Sequence, residues 1–157
     1  MIARLTLGAD HWSLTSTTAD LQLDVNLPIS VSAVVDQVLR HSPPTAHEVE
    51  QAIALIEDAI MPRAASLPPR LQVQSADPRV RAVVQSVAFM RVGAADVTVY
   101  ADDMERCFSR FASMVFGSSP AHEAIPPDGD FAATLLILRE CLHHLRWASI
   151  TTIGGRG

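Results

Sequence analysis

Residues 131–147 (FAATLLILRECLHHLRW) constrain this chain more than any other stretch, because one dense apolar segment also carries the ligand-capable side chains Glu140, Cys141, His143 and His144. At about 100 degrees per residue, Leu135, Leu138, Leu142 and Leu145 centre one helical face, with Ile137 and Cys141 beside them. Glu140, His143 and His144 fall on the other side. A stripe of that kind has to be buried against other elements. The segment is therefore expected to be the central packing helix of the fold, with a polar rim along one side.

The N-terminal third follows a different period. Leu21, Leu23 and Val25 alternate with Asp20, Gln22 and Asp24, and Ala3, Leu5 and Leu7 alternate with Ile2, Arg4 and Thr6, the pattern of half-buried strands. Trp12 and Leu14 predict a further strand after the turn-prone Gly8-Ala9-Asp10. An antiparallel meander of two or three strands follows from this. After Pro28 the period changes to that of a helix, with Val31, Val34, Val35, Val38 and Leu39 at helical spacing up to Ser42-Pro43-Pro44.

Thr45-Ala46-His47-Glu48 has the form of a capping box, in which the Thr hydroxyl and the Glu carboxylate satisfy each other's backbone amides. Behind it Val49, Ile53, Ile56 and Ile60 make one stripe, opposed by Glu50, Gln51, Glu57 and Asp58 until Pro62. Leu71-Gln72-Val73 predicts a short strand, and Asp77-Pro78 opens a helix lined by Val80, Val83, Val84 and Val87 that ends at Gly93. A strand over 96–100 leads to a helix capped by Asp102, with Met104, Phe108, Phe111 and Val115 inward. Residues 117–130 are a turn-rich connection, Ser149 to Ile153 a closing strand, and 154–157 a flexible glycine tail. The fold class implied is α+β: an N-terminal antiparallel meander packed against four to five helices, with more helix than strand, in a single domain over 1–153.

Composition narrows the chemistry. All 12 basic residues are Arg, so Schiff-base chemistry, Lys general bases and the Walker A lysine are excluded. A net charge of -5 opposes a nucleic-acid role, since neutralising phosphates needs clustered cations. Arg106 with Arg110, or Arg139 with Arg146, could form small basic patches but suit solvated helix faces. No stretch approaches the roughly 20 apolar residues of a membrane span, and the start lacks a basic then apolar signal pattern. Cys107 and Cys141 do not form a C-x-x-C pair and suit a reduced cytoplasm. The Ala, Arg and Val preference resembles a GC-rich bacterial coding bias.

No complete catalytic signature is present. Glu140-x-x-His143 has the i, i+3 spacing of di-iron bundle ligands, and Glu140 with His144 makes an i, i+4 pair, but no second Glu-x-x-His follows Glu48, Glu50 or Glu57. The bland reading pairs Glu140 with a protonated His144 and sets His143 and Arg146 at the negative end of the helix dipole. The sharper one is a mononuclear metal site of Glu140, His143 and His144, completed by His122 or His47, with Glu123 nearby. Cys141, beside the apolar stripe, suits a core position rather than a nucleophile. Tyr100-Ala101-Asp102-Asp103 resembles the Tyr-x-Asp-Asp of reverse transcriptases over these four residues alone, and helix periodicity follows where a returning strand is needed. Ser118 and Ser119 lie in a turn, not in Gly-x-Ser-x-Gly.

The functional expectation is a small cytoplasmic interaction or accessory module that self-associates, most simply as a homodimer. A protein partner fits it; nucleic acid and membrane do not. The alternative is a metal- or small-molecule-binding enzyme with its site on the polar rim of the C-terminal helix. Neither reading names catalytic residues or an organic cofactor.

Overall fold

The computed structural model describes residues 1–16, 18, 20, 22–88 and 96–154. The chain runs β1 (Ile2–Leu7), β2 (Trp12–Ser16), β3 (Asp24–Leu27), α1 (Val31–Gln37), α2 (Ala46–Ile60), a 3-10 turn (Met61–Ser66), β4 (Gln72–Ser75) and α3 (Pro78–Ala88). It continues through β5 (Val97–Val99), α4 (Ala101–Val115), α5 (Pro120–Glu123), α6 (Gly129–His144) and β6 (Ser149–Thr152). Helix exceeds strand, and the fold is α+β as expected. Leu21, Gly93 and the tail beyond Gly154 lie outside the described residues.

The six strands form one sheet in the order β3-β2-β1-β4-β6-β5. The meander β1 to β3 is antiparallel, with Leu5 opposite Leu14 and Leu14 opposite Val25. On its other side β1 pairs in parallel with β4, and β4 in parallel with β6, so that Ala3, Val73 and Ile150 stand abreast. The closing strand β6 thus lies inside the sheet, with β5 antiparallel at the edge. Period two assigns each strand one buried face. Ala3, Leu5, Leu7, Trp12, Leu14, Leu27, Val73, Val99 and Ile150 are buried on that face, while Arg4, Thr6, Thr15, Asp24, Asn26, Gln72 and Thr98 point outward and are exposed. The helical layer covers one side of the sheet.

Local chemistry sets the helix starts. Glu48 Oε1 accepts from the Thr45 amide at 2.9 Å, and the Glu48 amide donates to Thr45 Oγ1 at 3.2 Å, completing the capping box. Asp77 Oδ1 accepts from the Arg79 amide at 2.8 Å ahead of α3. At α4 the expected cap is displaced by two residues: the helix starts at Ala101 with Tyr100, not Asp102, at the N-cap, and Asp103 accepts from the Tyr100 amide at 3.0 Å. Asp128 caps α6 through the Phe131 amide at 3.0 Å.

Helix α6 packs against α1, α2, α3 and α4. Every residue from Phe131 to Leu138 is buried, Thr134 included, whose hydroxyl donates to the Asp130 carbonyl at 2.7 Å. The central packing role expected of this helix is present, and its polar rim is graded, with His143 exposed, His144 half-buried and Glu140 buried. Glu140 is only 3% exposed, because α2 covers the side of α6 that the helical pattern alone leaves to solvent.

Candidate functional site

The site is built where α2 meets the last turn of α6. The capping box fixes the start of α2, and its apolar stripe, Val49, Ile56 and Ile60, turns the helix so that the half-buried Glu57 faces α6. On α6, Glu140 and His144 are one turn apart on the same side. His144 Nε2 lies 3.1 Å from Glu57 Oε1 and 3.1 Å from Glu140 Oε2. One ligand atom from each of the three residues falls within 4.8 Å of the others.

Glu140 divides its two oxygens. Oε2 faces His144, while Oε1 accepts from Arg139 Nη1 at 3.0 Å. Arg139 is itself clamped to α4: Nε and Nη2 donate to Glu105 at 2.9 and 3.3 Å, and the guanidinium stacks 3.8 Å above the Phe108 ring. The planar, permanently charged guanidinium suits this three-way role. Burial pushes the Glu140 carboxyl above the ordinary range; Arg139 opposes that shift and the facing Glu57 adds to it. Two carboxylates and an imidazole nitrogen therefore converge on one point.

These groups form one wall of a cleft of about 1080 Å³. Its floor is set by the topology. Arg70 precedes β4, Arg146 and Trp147 precede β6, and Tyr100 and Asp102 follow the antiparallel β5, so the cleft lies beyond the amino ends of the parallel strands. In open parallel sheets ligands more often sit at the carboxyl ends. That edge here holds a smaller cavity of about 260 Å³, lined by Pro78, Arg79, Pro126 and Phe131 among others. Arg79 is committed there to Asp77 at 3.0 Å and to the Leu7 carbonyl at 3.2 Å. The amino-end cleft is the roomier and carries the converging ligand atoms.

Of the residues singled out from sequence, Glu140 and His144 come together. His143 lines the cleft and its ring meets that of His144 edge-on, 4.7 Å between centroids, but its side is exposed and it does not join the cluster. His122 sits exposed on α5 and His47 exposed on α2, both outside the cluster and the cleft lining. Glu123 is occupied as the acceptor of the Ser118 hydroxyl at 2.7 Å. Glu57 is the member that sequence reasoning passed over, having no His three residues on. Its position one turn past the inward Ile53 was the available signal. Cys141 is fully buried, and burial raises its thiol, so it is a core residue; the buried Cys107 behaves alike.

Neither a family model nor a curated protein matches the sequence. Solved structures do match. A Ppx/GppA enzyme of Aquifex aeolicus superposes with a TM-score of 0.69 at 12% identity, over 99% of this chain and 54% of that one. The type II variant of the Aquifex aeolicus Ppx/GppA phosphatase gives 0.68 at 9% identity, over 99% and 54%. An exopolyphosphatase from Cytophaga hutchinsonii gives 0.64 at 11%, over 98% and 53%.

The likeness is one of fold. The chain spans about half the length of these Ppx/GppA structures. Among the described residues, no helix is long and apolar enough to cross a membrane.

Proposed function

We propose that this chain is a small-molecule-binding enzyme that holds a divalent cation on Glu57, Glu140 and His144 at the wall of the amino-end cleft. The observation that carries the reading is the placement of His144 Nε2 at 3.1 Å from oxygens of two carboxylates on different helices. Bonds of about 2.0–2.2 Å to nitrogen and oxygen put neighbouring ligand atoms only slightly further apart than this. Three protein ligands leave coordination positions open toward the cleft, the arrangement of catalytic rather than structural metal sites. Mixed carboxylate and imidazole donors suit Mn²⁺, Fe²⁺ or Zn²⁺. Such an ion polarises a substrate oxygen and makes a bound water more acidic, the basis of metal-assisted hydrolysis.

The fold likeness to structures described as phosphatases and exopolyphosphatases favours an enzyme over a pure interaction module and favours a hydrolytic reaction. In this reading Arg139 is a positioning residue: it fixes one oxygen of Glu140 and so aims the other at the cation. A self-associating role has support in Phe116, 81% exposed at the end of α4, and a subunit contact there would leave the cleft free.

The test is hydrolysis of p-nitrophenyl phosphate by the purified chain with added Mn²⁺ or Zn²⁺. Activity that requires the metal and falls at least a hundredfold in Glu57→Gln, Glu140→Gln and His144→Ala is the expected result. Metal-independent activity, or variants as active as the parent, would overturn the reading.

A further inference from the structure

Two arginines in the cleft are held in backbone conformations that arginine rarely adopts. Arg70 has φ 58 and Arg146 φ 54, both in the left-handed region. Only a few per cent of non-glycine residues lie there, and where they persist the surrounding structure holds them in place. The two are neighbours across the starts of β4 and β6, with the Arg70 amide donating to the Arg146 carbonyl at 3.1 Å. The next pair in register follows at once, the Ala148 amide donating to the Leu71 carbonyl at 2.8 Å. Glycine would fit both corners without strain. The chain carries arginine at each, and both side chains line the cleft.

Neither arginine makes an ion pair with a described residue, whereas Arg79, Arg106 and Arg139 are each tied to a carboxylate. Two guanidinium groups without an ion pair among the described residues therefore line the same cleft as the Glu57–Glu140–His144 cluster.

We infer that Arg70 and Arg146 form an oxyanion subsite that takes the phosphate or carboxylate group of the substrate. The inference rests on the cleft being the substrate site, as proposed above, and adds the class of substrate it admits. Guanidinium groups present forked donors that match either oxyanion in bidentate fashion. Arg146 follows His144 by two residues and both arginines line the cluster's cleft, so the anion and the cation would be held in the same volume. A substrate is then oriented before any bond is broken.

The test titrates phenyl phosphate and benzoate calorimetrically into chelator-treated protein, for the parent chain and for Arg70→Gly and Arg146→Gly. The parent should bind at least one of the two, and the tighter of them assigns the oxyanion as phosphate or carboxylate. Each glycine variant should lose about tenfold or more in affinity while its melting temperature holds or rises by about 2–4 °C, since glycine relieves the left-handed corner. No binding of either anion by the parent, or undiminished binding in both glycine variants, overturns the subsite. Because no metal is present, that result leaves the cation site standing, and loss of metal binding alone leaves the subsite standing.

Discussion

Replacing Glu48 by Gln gives a quantitative test of how the α1 to α2 connection is held. The Glu48 side chain is 9% exposed and accepts from the Thr45 amide at 2.9 Å, from the Arg40 amide at 2.9 Å, and lies 3.0 Å from His41 Nδ1. Burial on its own raises this carboxyl, but the Thr45 amide, the His41 ring and the Arg40 amide together outweigh it and bring it from 4.5 down to about 2. At about 1.4 kcal/mol per unit, that difference sets a ceiling of about 3 kcal/mol. His41 is largely solvated, and screening reduces the expected contribution to about 2 kcal/mol. The sign follows from the depressed folded-state value. The stabilisation is complete above pH 4.5, the ordinary value, and is lost as pH falls toward 2. Urea unfolding of both proteins from pH 7 to pH 2.5 is the assay. Glu48→Gln should be about 2 kcal/mol less stable at pH 7, because its amide nitrogen confronts a backbone donor. That gap should close as the parent protonates. A gap that stays constant over the whole range would refute the argument that the ionised carboxylate holds this junction.

Three further outcomes follow. Leu138→Ala, at a position with no exposed surface among four contacting helices, should cost about 2–5 kcal/mol in urea unfolding. Gly8→Ala brings a Cβ to 2.7 Å from the His11 carbonyl oxygen, so the β1 to β2 turn must shift, with a loss of about 1–3 kcal/mol measured the same way. Arg139→Ala frees Glu105 and strips the buried Glu140 of its cation; stability should fall by about 2 kcal/mol, and metal affinity should weaken through the lost positioning of Glu140.

Local signals were legible in the sequence wherever the physics is local. The Thr45–Glu48 box, the Asp77-Pro78 start of α3 and the alternation of β1 each require only neighbours in sequence, and each is present. The cap of α4 was misplaced by two residues because Asp102 has the side chain of an N-cap and Tyr100 does not; the backbone path sets Tyr100 at the cap, with Asp103 accepting from its amide. What depends on distant pairing was hidden. The insertion of β6 between β4 and β5 pairs it in parallel with Gln72–Ser75, 77 residues earlier, and no periodicity encodes it. The candidate site was half legible: Glu140 and His144 share a helix turn, while Glu57 reaches them from 87 residues away in sequence. The helical pattern placed Glu140 on a polar rim because it describes one helix at a time. Burial of Glu140 is a property of the packing of α2 on α6.

The central claim is that Glu57, Glu140 and His144 bind one divalent cation, and calorimetric titration of metal-free protein with Mn²⁺ and with Zn²⁺ tests it most directly. The account predicts one site per chain, weakened at least tenfold by Glu140→Gln or His144→Ala and unchanged by His143→Ala, since His143 stands outside the cluster. No saturable binding, or binding that survives His144→Ala intact, would contradict it.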